Sequence, residues 1–311
     1  MSNAWYVQCK PFDENDRNKP DVVKNFHQKC YEKRLFGMGW NLSEMQKNHK
    51  GETINEDLMN EYREKRKEDD KNHKGKFSGS FTAAQNCYGE MQEGDVVLTR
   101  FEDEYYLGIV KYKPQISEED RFSWSSEVDV WRSLKSRKDL PHHISGLLAS
   151  RSMTGTIARI KGLSKYTLFT LAGKEGVERE KVTKDNFATA LGDADLEDVV
   201  AEYMAKQNPK FIFLPSSCKQ GTPEIEFIMY NPENGHQLCC QTKVNAEIDV
   251  KTYADERYKK YEGIYLFSGK KCINEKYKKD NVHIIDNAVL FDSLKKNAYF
   301  RNEIEKYFEF D

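Results

Sequence analysis

The chain has 311 residues, 38% of them hydrophobic and 12% aromatic, and a net charge of -2, with an isoelectric point near 6.4. That length suits two domains with cores of their own, and the balanced charge lacks the global basic excess of many nucleic-acid binders. No apolar run approaches the ~20 residues of a bilayer span, no basic-then-apolar leader opens the chain, and the seven cysteines form neither Cys-x-x-Cys pairs nor a spaced Cys/His set. The expected setting is therefore a reducing cytoplasm, with no membrane partner and no structural zinc.

In chain order, Trp5 to Lys10 reads as a strand stopped by Pro11, and Asp21 to Arg34 as a helix with Val22, Val23, Phe26 and Tyr31 as its apolar candidates. Residues 41–76 turn polar and charged, and Glu56 to Asn72 reads as an exposed helix or an insertion. Phe81 to Met91 is a second expected helix. Glu93 to Arg100 reads as a turn and strand, paired across Glu102-Asp103-Glu104 with Tyr105 to Lys111. Val128 to Arg132 is a further expected strand, and Ser150 to Ile160 a turn feeding another. Strands with two flanking helices predict a small curved or closed barrel over residues 1–165. Residues 166–188, charged and glycine-containing, read as a connector to a second domain over 189–311.

In that second half, Leu196, Val199, Val200, Tyr203 and Met204 recur at helical spacing behind Asp195, a candidate N-cap. Phe211 to Leu214 is a short strand. Pro223 to Tyr230 reads as another, with Glu224, Glu226 and Ile228 on one face and Ile225, Phe227 and Met229 on the other. The turn Asn231-Pro232-Glu233-Asn234-Gly235 sends Gln237 to Val244 back antiparallel, with Cys239, Gln241 and Lys243 sharing a face. Tyr253 to Tyr261 reads as helix, Gly263 to Phe267 as strand, Ser268-Gly269 as turn, and Val282 to Leu290 as an apolar strand before a helix at Phe291 to Lys296.

A hairpin that sets carboxylates beside a Gln and a Lys has the parts for metal-assisted phosphodiester hydrolysis. Carboxylate and carbonyl oxygens suit a hard cation such as Mg2+ or Mn2+, and a lysine can offset charge that develops on a phosphate. Residues 251–280 add nine Lys/Arg against five Asp/Glu, a local patch that could meet a phosphate backbone. Taken alone, the same hairpin is also compatible with solvated surface charge.

The order of these phrases, from Asp195-Leu196-Glu197-x-Val199-Val200 through the acidic strand and Gln241-x-Lys243 to Ile285-Asp286-Asn287, resembles the Mrr-type branch of the PD-(D/E)xK nucleases over residues 185–300. The resemblance implies an α/β/α restriction-endonuclease-like domain. Glu226 would take the metal-binding acid position, with Glu224 as the alternative, Gln241 the second metal position, Lys243 the lysine, and Glu197 the auxiliary carboxylate. Glu for the commoner Asp, and Gln for a second acid, leave open a relative that holds DNA without cutting it.

The first half resembles the EVE-like domains of the PUA/YTH superfamily over residues 4–162. The phrases that carry this are an opening strand with Trp5, Gly37-Met38-Gly39-Trp40, Gly94-Asp95-Val96-Val97, Tyr106-x-Gly108-x-Val110, Val128-x-Val130-Trp131, and Arg151-x-x-x-Gly155-Thr156-x-x-Arg159-Ile160. Such domains read a modified base, often 5-methylcytosine, flipped into an aromatic cage. A flipped base needs stacking walls, for which Trp40 and Trp131 are the first candidates and Trp5, Trp124 and Tyr106 the others. Arg100, Arg132, Arg151 and Arg159 are candidate phosphate contacts. Together the two resemblances imply an α/β (α+β) protein in which a curved EVE-like barrel delivers modified DNA to a magnesium nuclease acting as a homodimer: a modification-dependent restriction endonuclease used in phage defence. The alternatives are a binding-only protein and a reader or nuclease of RNA.

Overall fold

The computed structural model describes residues 2–9, 19–38, 47–61, 64–65, 89–118, 122, 124–135, 140–149, 157–176, 178–217 and 224–311. It is an α+β chain in two compact units, the first Met1–Pro141 with Leu147–Glu178, the second His142–Gly146 with Arg179–Asp311.

The first unit contains β1 (Ala4–Val7), α1 (Pro20–Glu32), β2 (Leu35–Met38), β3 (Val96–Phe101), β4 (Glu104–Ile109), β5 (Gln115–Ile116), β6 (Trp124–Glu127), β7 (Arg132–Ser133), the last turn of α2 (His142–Ala149), whose first five residues count with the second unit, and then β8 (Ile157–Ile160) and α3 (Leu163–Leu171). One sheet runs β7-β4-β3-β1-β8 and a second β2-β6-β5. Among the described residues neither sheet closes on itself, and the structure carries the general α+β class. The core joins Trp5, Phe26, Phe36, Val97, Phe101, Phe122, Trp124 and Trp131. It also takes Ile54, Leu58 and Met59, so the start of the segment expected as exposed helix is anchored by its apolar residues. The expected helix at Phe81 to Met91 falls largely outside the described residues. The strand expected at Val128 to Arg132 is instead the junction between β6 and β7: it bends at Asp129, and only Arg132 lies in a strand. That bend is tied down: Asp129 accepts from Arg132 (2.8 Å) and from the Ile109 N–H (2.8 Å).

The second unit contains β9 (Lys181–Val182), α4 (Phe187–Leu191), α5 (Asp193–Gln207), β10 (Ile212–Leu214), β11 (Phe227–Tyr230), β12 (Gln237–Lys243), β13 (Ile248–Asp249), β14 (Gly263–Ser268), β15 (Cys272–Ile273), β16 (Val282–Ile284), α6 (Asn287–Lys296), α7 (Ala298–Glu305) and β17 (Glu309–Phe310). Its main sheet runs β10-β11-β12-β14-β16; β11 and β12 are antiparallel, while β14 and β16 run parallel to β12. Helix α5 buries Leu196, Val199, Val200 and Met204 and packs on the central strand β12. Another cluster joins Cys239, Ile264, Leu266 and Val282 to Tyr253, Tyr258 and Tyr261.

Three local readings are corrected. Residues 166–188 are not a plain connector: they contain most of α3 as well as β9, which pairs with the C-terminal β17. Tyr253 to Tyr261 forms two 3-10 turns, Val250–Ala254 and Glu256–Tyr258, because Asp249 and Asp255 each cap a fresh turn by accepting from the N–H two residues on. Asp195 lies inside the first turn of α5, and Gly192 holds the capping position at φ 83°. Only glycine fits there, since a Cβ would come within 2.8 Å of the His143 Cα.

Candidate active site

Strand β12 is central and buried, and its last polar residues are what the hairpin delivers. The ladder pairs Phe227 with Cys240, yet the Glu226 N–H also donates to the Cys240 carbonyl at 2.8 Å. Two residues thus oppose one, the arrangement of a β-bulge, which re-aims the side chain at its edge. Strand alternation stops there: Ile225 and Ile228, three apart, pack on the same cluster. The regular strand begins at Phe227, and Glu224 to Glu226 of the expected strand lie outside it.

The re-aimed carboxylate meets the two residues expected to face it. Gln241 Nε2 and Lys243 Nζ both donate to Glu226 Oε1, each at 2.8 Å. Gln241 is 2% exposed, whereas the ends of Lys243 and Glu226 reach partial solvent. With its nitrogen toward the carboxylate, Gln241 leaves Oε1 buried and without a hydrogen-bond partner. An orphaned acceptor costs about 1–3 kcal/mol, and a cation would satisfy it.

Glu197, on α5, completes the group electrostatically. Burial first, and then the neighbouring Glu226 charge, push its carboxyl up to about 7, while Lys243 pulls it the other way. Two carboxylates and an amide oxygen suit a hard divalent ion that keeps several waters. Among the described residues no group of three or more His, Cys, Asp or Glu side chains forms a fuller metal cage. The far end of β12 is held by the turn after β14: Gly269 N–H donates to the Lys243 carbonyl (2.9 Å), and a Cβ at Gly269 would strike the Val244 carbonyl at 2.4 Å.

Glu224 is not part of this group. Its carboxylate oxygens are taken by Arg257 (2.9 Å) and Tyr258 (2.7 Å) rather than by Gln241 or Lys243. Spacing from Glu226 could not reveal this, because the bulge breaks the period on which their shared face was read.

The base-pocket candidates fare differently. Trp5, Trp124 and Trp131 are 0%, 1% and 6% exposed and belong to the core, not to an open cage. Their indoles serve the fold: Trp5 Nε1 donates to Asp95 (2.8 Å), Trp131 Nε1 to the Cys30 carbonyl (3.3 Å), and the Trp131 ring meets Phe101 edge-on at 5.4 Å. Trp40 and Arg151 lie outside the described residues. Tyr106 is half-buried, its hydroxyl donating to Glu104 (2.7 Å) and its ring 5.3 Å from that of Tyr31. Tyr31, read from the sequence as an apolar helix residue, is 48% exposed, and its proximity to Tyr106 carries no sequence signal.

Three of the candidate phosphate arginines are engaged in their own structure. Arg100 binds the Glu102 carbonyl and Asp103, and Arg159 binds Glu90 and Asn3. Arg132 is held by Asp129. In the basic stretch, Lys251 and Lys276 stand over the exposed Tyr277 ring at 5.3 and 5.2 Å. No helix among the described residues is long and apolar enough to cross a membrane. Comparison with known protein families, curated proteins and solved structures finds no match to this chain.

Proposed function

We propose that the second unit hydrolyses phosphodiester bonds with a divalent metal, and that the chain is a modification-dependent DNA endonuclease whose first unit reads the modified base. The observation that supports this best is the convergence of Gln241 and Lys243 on Glu226, with the Gln241 carbonyl oxygen buried and unsatisfied. This is the donor set of the PD-(D/E)xK resemblance, and the EVE-like resemblance of the first half supplies the reader.

Glu226 and the Gln241 oxygen would hold Mg2+ or Mn2+, with Glu197 as the second carboxylate. When bound, the metal supplies charge neutralisation at the phosphate and a more acidic water. The chain's own residues do the rest. Lys243 pairs with Glu226 at 2.8 Å and can turn its ammonium toward the charge that builds on the phosphate oxygens. Gln241 orients the Glu226 carboxylate. Glu197, poised near neutrality, can take the proton that an attacking water releases at its carboxylate oxygen. Cleavage of both strands calls for two copies of the chain. With the described tryptophans in the core, the base pocket rests on Trp40 and the Tyr31–Tyr106 pair.

A binding-only protein is the second reading, favoured by the mutual satisfaction of Glu226 and Lys243. Incubating the protein and Mg2+ with unmodified, cytosine-modified and adenine-methylated forms of one plasmid decides between them. Cutting confined to one modified form, lost by roughly 10²–10³-fold in Lys243→Ala with binding retained, is the expected result. Binding without cutting of any form would establish the second reading, and equal cutting by Lys243→Ala would overturn the assignment of the site. Methylated RNA as a competitor separates the RNA alternative.

A further inference from the structure

Glu224 is left without a role in this chemistry, yet it is among the most heavily bonded residues of the second unit. Tyr258 Oη donates to its Oε2 (2.7 Å), Arg257 to its Oε1 (2.9 Å), and Tyr253 Oη to its backbone carbonyl (2.9 Å). The two tyrosines are 3% exposed, with rings 5.0 Å apart, so these hydroxyls come from a rigid wall. Arg257 also lies over the Tyr258 ring at 4.9 Å. Side chain and main chain of one residue are thus held from three directions, two positions before the acid that the bulge re-aims.

A bulge is a local choice of register, and something must hold the chain in it. On one side Glu226 N–H is fixed to Cys240; further along, Ile228 N–H is fixed to Ser217 Oγ (2.7 Å). On the other side Glu224 is held, through its carboxylate and its carbonyl. We propose that the Arg257–Tyr258–Tyr253 clamp on Glu224 is the positioning device of the site, setting the bulge that turns Glu226 toward Gln241 and Lys243. The inference rests on the metal-site reading for its consequence, but its geometry stands without a metal. The clamp acts through Glu226, and its residues touch neither metal nor substrate.

The test uses the full chain and two readouts. The first is hydrogen exchange at the labelled Gln241 side-chain amide, identified as the signal lost in Gln241→Met, which reports the bond to Glu226 whether or not metal binds. The second is Mn2+ affinity by electron paramagnetic resonance. In Tyr258→Phe and Glu224→Ala the Gln241 amide exchanges at least about tenfold faster and Mn2+ affinity falls about tenfold, the usual loss when a group supporting a metal ligand is removed. Glu224→Gln, which keeps an acceptor for Tyr258, recovers part of both. Arg257→Lys, an exposed and milder change, moves both readouts in the same direction should Glu224→Ala fail to fold. Unchanged exchange in the folded variants overturns the clamp and leaves the nuclease reading intact. Faster exchange in a protein that binds no Mn2+ supports the clamp and sinks the nuclease reading. Loss of Mn2+ binding in Glu224→Ala as complete as in Glu226→Ala, with exchange unchanged, makes Glu224 a ligand and overturns the proposal.

Discussion

Two buried polar centres, one in each unit, differ in what they leave over. In the first unit Asp95, 1% exposed, accepts from the Asn3 N–H (2.8 Å), from Trp5 Nε1 (2.8 Å) and from the Gln92 N–H (3.1 Å). Both carboxylate oxygens are used, and the result is a closed knot joining β1 to the start of β3. In the second unit Gln241 is as deeply buried but donates without accepting, and its neighbour Glu197 carries a carboxyl that resists ionisation. Structural polar groups are buried where their hydrogen bonds close. A centre that keeps an open acceptor and two crowded carboxylates has capacity for a ligand, and that contrast can be tested by removing each part.

The largest effect belongs to Asp95. Asp95→Ala strands buried donors, including the Trp5 indole, and should cost roughly 3 kcal/mol or more of stability in chemical denaturation; a loss below about 1 kcal/mol would deny the knot its structural role. Gln241→Met is the counterpart. Removing an amide that leaves an acceptor unsatisfied should change stability by no more than about 1 kcal/mol, while Mn2+ affinity falls at least about tenfold. A large stability loss with unchanged metal binding would reverse the contrast.

The third effect is a pH slope. Glu197 ionises near 4.5 in an unfolded chain and near about 7 in the fold. Between those values the unfolded state has released a proton that the folded state keeps, so stability falls as pH rises through the window. Below 4.5 both states are protonated and nothing is lost. His143 acts oppositely: burial pushes it down to about 4 from 6.5, so stability falls as pH drops from 6.5 toward 4. Melting curves of wild type and Glu197→Gln across pH 4.5–7.5 isolate the first slope, which should vanish in the variant. If the two proteins melt in parallel, the Glu197 carboxyl is not raised by burial and its neighbours. The smallest effects are expected at Arg100 and Arg159, whose exposed ion pairs contribute about 0–1 kcal/mol; alanine at either should leave the melt almost unmoved, and a strong loss of DNA binding would restore them as phosphate contacts.

Legibility in the sequence followed the range of the interaction. The β11–β12 hairpin, with Gln241 and Lys243 on its inner face, was readable because a tight turn and period-2 alternation fix which residues oppose each other. Helix α5 was readable from its apolar spacing, and the β3–β4 hairpin from its turn. Glu224 and Glu226 looked equivalent because nothing in their spacing announces a bulge. The tryptophans misled for another reason: an aromatic ring gains as much from a core as a base gains from a ring, so residue type alone does not choose between wall and core.

The sequence by itself determined the α+β class, the order of the two halves, and the meeting of an acid with Gln241 and Lys243, since these depend on neighbours in the chain and on which face of a strand a residue occupies. Only the tertiary structure decided which acid that would be, which tryptophans are core, and which arginines are engaged. Those outcomes depend on partners from distant parts of the chain: Tyr253, Arg257 and Tyr258 holding Glu224, and Asp95 taking the Trp5 indole. Burial and hydrogen bonding are settled jointly by all the groups that converge on a point, and no local pattern in the chain records that convergence.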